Sequence, residues 1–287
     1  MKRIILFLIL ICNIGFSNEI KPRILVGSPI QQKPSILSVF LNHLSHIESE
    51  EYILDYFFVD DNVDPFSKSL LQQFKLHCKS LCIIKPSNET SSFYCNEYTH
   101  YWTNDLVWKV GSFKDDIIHY AKENEYDYLF LVDSDIILHP ETINQLIKAK
   151  KPIISNIFWT AWQPGTQPLP QVWISDTYTL YHYDSSENLT HEEINKRTDQ
   201  FLSQLKIPGV YEVGGLGACT LINKFAIHKG ISFKRIKNIT LWGEDRHFCV
   251  RALALDIPLF VDTHYPAYHI YRISDLEGVN EFCRSFE

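Results

Sequence analysis

The sequence lacks the short motifs that mark several common enzyme classes. It has no Gly-Lys-Ser/Thr phosphate loop, and no glycine-rich dinucleotide fingerprint opens a helix after an early strand. The patterns Gly-x-Ser-x-Gly and His-Glu-x-x-His are also missing, so the hydrolases that use them gain no support. No Cys-x-x-Cys pair occurs, which makes a structural zinc site a poor interpretation.

The sequence also has fewer basic than acidic residues. The chain has 27 Lys and Arg against 34 Asp and Glu, a formal net charge of −7. This balance argues against a broad nucleic-acid surface, and we expect no nucleic-acid partner. Hydrophobic residues make up 45% of the 287 residues and charged residues 21%, which is the composition of a globular protein and not of a disordered one.

The N-terminus has the pattern of a targeting segment. Lys2 and Arg3 precede the apolar run 4–12, and small residues follow near Ser17. The run is shorter than the roughly 20 residues of a membrane span. We expect residues 1–17 to be a cleaved signal peptide or an uncleaved signal anchor. Either predicts the secretory pathway (the ER or Golgi lumen) or an exported or membrane-anchored protein, with membrane contact only through this segment.

Residues 18–287 are expected to form one domain. Six of the seven cysteines lie in this part of the chain. Their even number permits disulfides in an exported protein, and buried free thiols are an equal alternative.

Apolar strand-like runs alternate with helical spacing along the first half of the chain. The predicted strands are 23–26, 54–59, 81–84, 128–132, 153–156, 218–222 and 258–261; the predicted helices are 35–46, 65–77, 106–121, 141–148, 190–205 and 243–255. Residues 158–173 read as a Trp-, Pro- and Gln-rich loop. Alternating β and α elements predict an α/β fold, with a mostly parallel sheet covered by helices on both faces.

Polar side chains follow several of these predicted strands. They are Ser28, Asp60, Asp61, Asp133 and Asp135. In parallel sheets, ligands bind beyond the carboxyl ends of the strands. We therefore expect these groups to converge on one edge of the sheet.

The Asp133-Ser134-Asp135 sequence is the strongest chemical signal. Two carboxylates one residue apart at a strand end can both reach a hard divalent cation. Mg²⁺ or Mn²⁺ held in this way completes its ligand shell with substrate phosphate oxygens. The alternative is a strand-end turn with solvated aspartates. A carboxylate of Asp60 or Asp61 could accept a hydrogen bond from a base or a ribose, or could form a turn that leads into the following helix.

The second half of the chain offers a second acidic pair and a histidine. Asp245, or failing it Glu244, could deprotonate an acceptor hydroxyl, although acidic residues also favour a helix start for electrostatic reasons. His269 could complete a carboxylate metal site. Gly215, within a Gly-Gly-Leu-Gly run, would let the backbone approach a ligand closely. Trp173 and its neighbouring tryptophans could stack on sugar faces or pack in the core.

In the order of these motifs, the chain resembles GT-A glycosyltransferases over about residues 22–272. Segments 61–64, 101–103 and 128–133 are similar to the first domain of collagen galactosyltransferases. Segment 133–136 with Pro140, the Gly214-Gly215 pair and the late histidine resemble the fungal Golgi mannosyltransferases that build mannan. Bacterial family-2-like enzymes are similar throughout. One departure is that collagen galactosyltransferases have Trp-x-x-Asp-Asp where this chain has Trp242-Gly-Glu-Asp.

The resemblance implies a metal-dependent hexosyltransferase that uses a UDP- or GDP-linked sugar and a glycan or glycoprotein acceptor. It implies that Asp133 and Asp135 bind Mn²⁺ (or Mg²⁺) and the donor diphosphate, with His269 as a further ligand. Ser28 and Asp60 or Asp61 would hold the nucleoside, Gly215 would lie near the donor sugar or acceptor, and Asp245 would be the base of an inverting reaction. Retaining and inverting chemistry both stay open.

Two other classes of function compete with this interpretation. A non-catalytic carbohydrate-binding or adhesion protein could use the same scaffold, but it should tolerate loss of the metal carboxylates. A sugar nucleotidyltransferase should carry a glycine-rich basic loop after the first strand, and residues 27–32 do not have one.

Overall fold

Strands and helices alternate in the order that the pattern predicts. The structure is a computed structural model that describes residues 21–47, 49–87, 93–175 and 177–286. The strands are β1 (Arg23–Ile30), β2 (Ile53–Asp60), β3 (Cys82–Pro86), β4 (Tyr94–Cys95), β5 (His100–Tyr101), β6 (Tyr128–Leu131), β7 (Ile136–Ile137), β8 (Ile153–Thr160), β9 (Leu169–Pro170), β10 (Val172–Trp173), β11 (Val210–Val213), β12 (Gly215–Leu216), β13 (Thr220–Asn223) and β14 (Leu259–His269). The helices are α1 (Pro34–Ser45), α2 (Pro65–His77), α3 (Asn104–Glu123), α4 (Thr142–Lys148), α5 (His191–Gln204), α6 (Lys224–Lys229), α7 (Glu244–Ala254) and α8 (Val279–Arg284), with a 3₁₀ helix at Ile273–Gly278.

One large curled sheet organises the described residues. Its strands run in the order β11-β14-β8-β13-β6-β1-β2-β3, with β7 added to β14 and β9 added to β8. Strands β3, β2, β1 and β6 are parallel neighbours, and β14 is parallel to β8. Strand β13 lies antiparallel between β6 and β8. This mostly parallel, helix-flanked sheet confirms the predicted α/β fold, a Rossmann-like sheet of the GT-A type.

Alternate residues of β1 reach opposite faces of the sheet. Ile24 and Val26 pack in the apolar cluster that contains Phe40 of α1. Leu25 packs in the opposite cluster with Ile117 of α3. All five are buried, and complete burial of each such side chain contributes roughly 2–3 kcal/mol. The two apolar layers hold the helices on the sheet and fix where its strands end.

Three elements differ from the sequence prediction. Strand β1 continues to Ile30, so Ser28 lies inside the strand and pairs in register with Phe58 of β2. Pro29 is tolerated there because β6 pairs with β1 only as far as Gly27. The predicted loop 158–173 contains the end of β8 together with β9 and β10, and β14 extends as far as His269.

The starts of two helices are capped by side chains that the sequence places there. The Asp64 side chain accepts a hydrogen bond from the Phe66 amide at the start of α2. Thr190 and Glu193 form a capping box at the start of α5. Among the cysteines of the described ranges, Cys78, Cys82, Cys95, Cys219 and Cys249 are free thiols. The predicted signal segment 1–17 lies outside the described residues, and no helix within them is long and apolar enough to cross a membrane.

Candidate active site

A cavity of about 520 Å³ opens where β1, β2 and β6 end. Helix α3, strand β10, the start of α7 and the end of β14 supply much of its wall. The strand-end side chains meet here because parallel strands present their carboxyl ends at the same edge. Six of the nine site residues that the sequence predicts line this cavity: Asp61, Asp133, Asp135, Glu244, Asp245 and His269.

Asp133 and Asp135 lie just beyond β6, which ends at Leu131, and both are largely withdrawn from solvent. Burial raises the pKa of Asp133, while the nearby Lys114 lowers it and Asp245 raises it further. Burial and the charge of Asp133 raise the pKa of Asp135 to about 8. Two carboxylates in such an environment disfavour each other's ionised form unless a cation joins them.

His269 faces Asp135 from the end of β14. Its Nε2 lies 3.7 Å from Asp135 Oδ1, and its Nδ1 lies 2.7 Å from the hydroxyl of Thr160. Burial, with His100 and Arg272 nearby, lowers the pKa of His269 to about 3, so the imidazole is neutral. Thr160 orients the ring through Nδ1, as the outer partner of a metal-binding histidine commonly does.

The donor set at this edge fits a hard divalent cation. Asp135 Oδ1 is buried and has no hydrogen-bond partner among the described residues. A buried carboxylate oxygen in that state costs free energy unless a cation or a donor satisfies it. Carboxylate oxygens suit Mn²⁺ or Mg²⁺, and an added neutral imidazole nitrogen is a better match for Mn²⁺ than for the harder Mg²⁺.

The same edge does not form a complete metal cage. Within the part of the chain that the structure describes, no group of three or more His, Cys, Asp or Glu side chains is arranged to hold a metal ion. Ions such as Mg²⁺ are often held by one or two carboxylates and complete their shell with water and substrate phosphates. The residues therefore fit an ion that binds together with a phosphate-bearing substrate.

Lys114 of α3 forms ion pairs with both members of the second acidic pair, Glu244 and Asp245. Its Nζ donates to Glu244 Oε1 at 2.9 Å and to Asp245 Oδ1 at 2.8 Å. Burial raises the pKa of Glu244 to about 7, although Lys114 acts to lower it. Burial also acts to lower the pKa of Lys114, but Asp245, Glu244 and Asp133 outweigh it and raise that pKa well above its usual value. Lys114 is therefore positively charged at neutral pH.

The sequence interpretation missed Lys114. The signal was present, because Lys114 falls in the apolar stripe of α3 between Phe113 and Ile117, where a lysine must be buried. It also missed Gln32, whose Nε2 donates to Asp135 Oδ2 at 3.4 Å. Nothing in the local pattern marks Gln32, since the bond spans 103 positions of the chain.

Asp245 has one oxygen held and one oxygen directed into the cavity. Oδ1 accepts from Lys114. Oδ2 faces Gly217, where an added methyl group would lie 3.5 Å from it. The Asp245 side chain is 29% exposed. This geometry leaves Oδ2 available to accept a hydrogen bond or a proton from a bound hydroxyl.

The structure separates the roles of Asp60 and Asp61. Asp60 Oδ1 accepts from the backbone and side-chain nitrogens of Asn62, at 3.1 and 2.8 Å. This is the turn that the sequence offered as an alternative for the pair. Asp61 lines the cavity and forms a buried ion pair with Lys109, with an Nζ–Oδ2 distance of 2.6 Å. Of the two aspartates, only Asp61 lines the cavity and is placed to contact a ligand.

Ser28 and Gly215 are not brought to the cavity. Ser28 is completely buried within β1, and its hydroxyl lies 3.4 Å from the Pro29 carbonyl. Gly215 lies under the indole of Trp173, and a Cβ there would come within 2.0 Å of that ring. The glycine is needed because an aromatic wall residue occupies the space of its side chain.

Aromatic side chains line both sides of the cavity. On the His269 side, Trp162 contacts Tyr271, whose ring stacks on His100 at 4.0 Å. On the Asp245 side, Trp173 meets Tyr178 edge-on at 4.8 Å. The cavity thus combines an acidic floor with apolar aromatic walls, the surroundings that carbohydrate rings and nucleoside bases require.

The sheet is of the GT-A type, and an acidic cavity with aromatic walls lies at its edge. Comparison with protein families gives the class of protein, because the model of the glycosyltransferase family 25 N-terminal domain matches residues 21–164. The chain belongs to that family. The matched segment contains Asp61, Lys114, Asp133 and Asp135, whereas Glu244, Asp245 and His269 lie beyond it. No curated protein matches the chain.

Family membership supports glycosyltransferase activity in general, with a sugar donor and an acceptor. The family match does not specify the donor, the acceptor or a metal, and these depend on the residues of the site.

Proposed function

We propose that the protein is a metal-dependent glycosyltransferase that moves a hexose from a UDP- or GDP-linked sugar to a hydroxyl of a glycan or glycoprotein. The observation that carries the proposal is the pair Asp135 and His269. A buried carboxylate oxygen without a hydrogen bond lies 3.7 Å from a neutral imidazole nitrogen. Such a pair is stabilised when a cation lies beside it.

The charge balance of the cavity floor favours the same conclusion. Four carboxylates, those of Asp133, Asp135, Glu244 and Asp245, lie near one buried ammonium group, that of Lys114. Asp61 is already neutralised by Lys109. The floor therefore attracts further positive charge, which a divalent cation supplies and a diphosphate alone would not.

Asp133, Asp135 and His269 do not form a complete cage by themselves, so they would hold Mn²⁺ or Mg²⁺ together with the phosphate oxygens of the donor. When bound, the ion supplies charge stabilisation for a leaving nucleoside diphosphate. Asp61, at the end of β2, would accept a hydrogen bond from the nucleoside. Burial of the donor among the aromatic walls would exclude water and strengthen these charge interactions.

The transfer itself would be a single displacement on this geometry. The acceptor oxygen forms a bond to the anomeric carbon, and the bond from that carbon to the diphosphate oxygen breaks. Asp245 Oδ2 accepts the proton of the attacking hydroxyl. Lys114 holds the other oxygen, Oδ1, and so fixes the direction of the base. The product would have the inverted anomeric configuration, which proton NMR of the product reads directly.

We also propose a secretory-pathway location. Nucleotide sugars are present in the lumen of the ER and Golgi, and the signal-like segment 1–17 would bring the catalytic residues there. Expression of the full chain in a secretory cell, followed by protease protection of microsomes, tests this: luminal protein resists the protease and cytosolic protein does not.

The test of activity is a donor-hydrolysis assay of the full chain with a panel of UDP- and GDP-sugars. It is run with Mn²⁺ and with a chelator. We expect release of one nucleoside diphosphate that depends on the metal and is lost in the isosteric variants Asp133→Asn and Asp135→Asn. Asp199→Asn, on the exposed surface of α5, is the matched control and should keep full activity. The proposal would be contradicted if Asp133→Asn released the nucleoside diphosphate as fast as the wild type, or if the chelator did not slow the release.

A further inference from the structure

The wall of the cavity beside Asp245 is a cluster of three aromatic residues. We name Trp173, Tyr178 and Trp242 the aromatic shelf; all three line the cavity. Tyr178 and Trp242 are 46% and 47% exposed, whereas Trp173 is buried beneath Tyr178. Tyr178 and Trp242 therefore present apolar ring surface that borders the cavity and is open to a ligand.

Tyr178 is held in one position on the shelf. Its ring meets Trp173 edge-on, and the Arg246 guanidinium lies 4.5 Å from the ring centre. Its hydroxyl donates to the Trp242 carbonyl at 3.2 Å. These contacts keep the ring ordered although almost half of it is exposed, which lowers the cost of binding a rigid ligand against it.

The backbone on both sides of the shelf is unusual. Tyr178 has φ +61°, a left-handed conformation that is uncommon for an aromatic residue. Gly243 has φ +99°, and a Cβ there would lie 2.7 Å from the Tyr178 hydroxyl. Strained backbone of this kind persists at ligand sites, where it aims a side chain. The two segments meet at the start of α7, next to Glu244 and Asp245.

The shelf and Asp245 together offer two kinds of contact. The rings present an apolar surface, and Asp245 Oδ2 accepts hydrogen bonds. Burial, and then the charge of Asp245, raise the pKa of the Tyr178 phenol, which shows that the two groups share one environment. A pyranose ring matches this combination, because it has an apolar C–H face and a hydroxyl edge. An open-chain polyol or a serine hydroxyl has no rigid apolar face to place on the rings.

We propose that the aromatic shelf is the acceptor subsite, and that the acceptor is a saccharide presenting a pyranose ring. The ring stacks on Tyr178 and Trp242, and one of its hydroxyls reaches Asp245 Oδ2. This inference rests on the proposed function, because the hydroxyl is the nucleophile of the transfer. Its oxygen forms the new glycosidic bond, its proton passes to Asp245, and the nucleoside diphosphate leaves with the electron pair of the broken bond.

The experiment uses the full chain and the sugar nucleotide that the hydrolysis panel identifies. Acceptor probes are methyl glycosides of glucose, galactose, mannose and N-acetylglucosamine, with glycerol and a serine-containing peptide as acceptors without a pyranose ring. Initial rates give separate KM values for donor and acceptor. The variants are Tyr178→Ala, Trp242→Ala and the conservative Tyr178→Phe and Trp242→Phe. Tyr183→Ala is the matched control, since Tyr183 is 45% exposed and lies outside the cavity lining.

We expect transfer to at least one methyl glycoside and none to glycerol or the peptide. Each alanine variant should raise the acceptor KM about tenfold or more, a larger change than in the donor KM. The phenylalanine variants should recover most of the loss, and Tyr183→Ala should behave as the wild type.

Three results would overturn the inference. One is transfer to glycerol or the serine peptide as readily as to the methyl glycosides. Another is an unchanged acceptor KM in folded alanine variants, with folding checked by thermal unfolding. The third is a failure of the conservative phenylalanine variants to fold, which would make the shelf a structural element. Absence of donor hydrolysis in the wild type contradicts the proposed function itself, whereas donor hydrolysis without transfer to any methyl glycoside contradicts only the acceptor assignment.

Discussion

The ammonium nitrogen of Lys114 lies 2.8 Å from Oδ1 of Asp245, a residue 131 positions further along the chain. The same nitrogen lies 2.9 Å from Glu244, so one cation ties the middle of α3 to the first turn of α7. The Lys114 side chain is only 6% exposed, and Asp133 is close enough to act on its pKa. Lys114 thus connects the two acidic pairs that the sequence places more than a hundred residues apart.

Replacing Lys114 with methionine should destabilise the protein. The change leaves the buried carboxylate of Glu244 and the partly exposed carboxylate of Asp245 without their cation, which costs about 3 kcal/mol. Lys114→Arg should lose less, because the charge is retained. Urea unfolding of each variant measures the difference. Lys85→Met is the control, since Lys85 forms an ion pair of equal length with Asp116 but on the surface, where it is worth about 0–1 kcal/mol. Equal losses in the two methionine variants would contradict the assignment.

In the absence of metal, the stability gained by the Asp135→Asn variant over the wild type should be larger at pH 8 than at pH 5. Burial and Asp133 raise the folded-state pKa of Asp135 to about 8, above its ordinary unfolded value. Between those two pKa values the native state binds more protons, so wild-type stability falls as the pH rises. Asparagine removes this fall. Each unit of pKa shift corresponds to about 1.4 kcal/mol. Between pH 5 and pH 8, the free energy of unfolding of the wild type should therefore fall by at least about 1 kcal/mol more than that of the variant.

The measurement is chemical unfolding in EDTA at both pH values. Added Mn²⁺ should then raise the unfolding midpoint of the wild type and leave that of Asp135→Asn unchanged, because only the native wild type binds the ion. If the stability of the wild type changes neither with pH nor with Mn²⁺, Asp135 is not part of a metal site.

His269→Ala should weaken Mn²⁺ binding by at least about tenfold, since it removes a neutral nitrogen ligand. His264→Ala serves as the control. His264 also belongs to β14, but its Nδ1 lies 3.1 Å from Asp262 and it does not line the cavity. Electron paramagnetic resonance of free Mn²⁺ gives the binding constant with either variant. If both variants bind Mn²⁺ like the wild type, His269 is not a ligand.

Gly215→Ala and Gly217→Ala should fail in different ways. The new methyl group at position 215 would overlap the Trp173 ring, and forced overpacking costs about 1–3 kcal/mol of stability. At position 217 the nearest atom is Asp245 Oδ2 at 3.5 Å, an ordinary contact. Gly217→Ala should therefore fold normally but lower transfer activity by crowding Asp245. Thermal unfolding and the transfer rate distinguish the two; normal stability of Gly215→Ala would contradict the close contact between Gly215 and the Trp173 ring.

Much of the fold follows from local pattern. Strands β1, β2, β3 and β6 and helices α1 to α3 fall within a few residues of their predicted positions, because apolar spacing and helix caps act over short distances. The strand ends were harder. Ser28 belongs to β1 because pairing with β2 satisfies its backbone, and the Gly-Ser-Pro sequence conceals that pairing. Strand β14 is longer than predicted for the same reason, since β8 and β7 pair with its second half.

The sequence by itself determined which residues carry charge at the ends of buried strands, because a carboxylate after an apolar run has no place in the core. That reasoning identified Asp60, Asp61, Asp133 and Asp135, whereas Asp245 was predicted from its place at a helix start and His269 from its place after the last predicted strand. Only the tertiary structure decided which of them meet, that Lys114 lies between Glu244 and Asp245, and that Trp173 covers Gly215. Those contacts join segments far apart in the chain, and their geometry depends on how the whole sheet curls and on which helix packs over it.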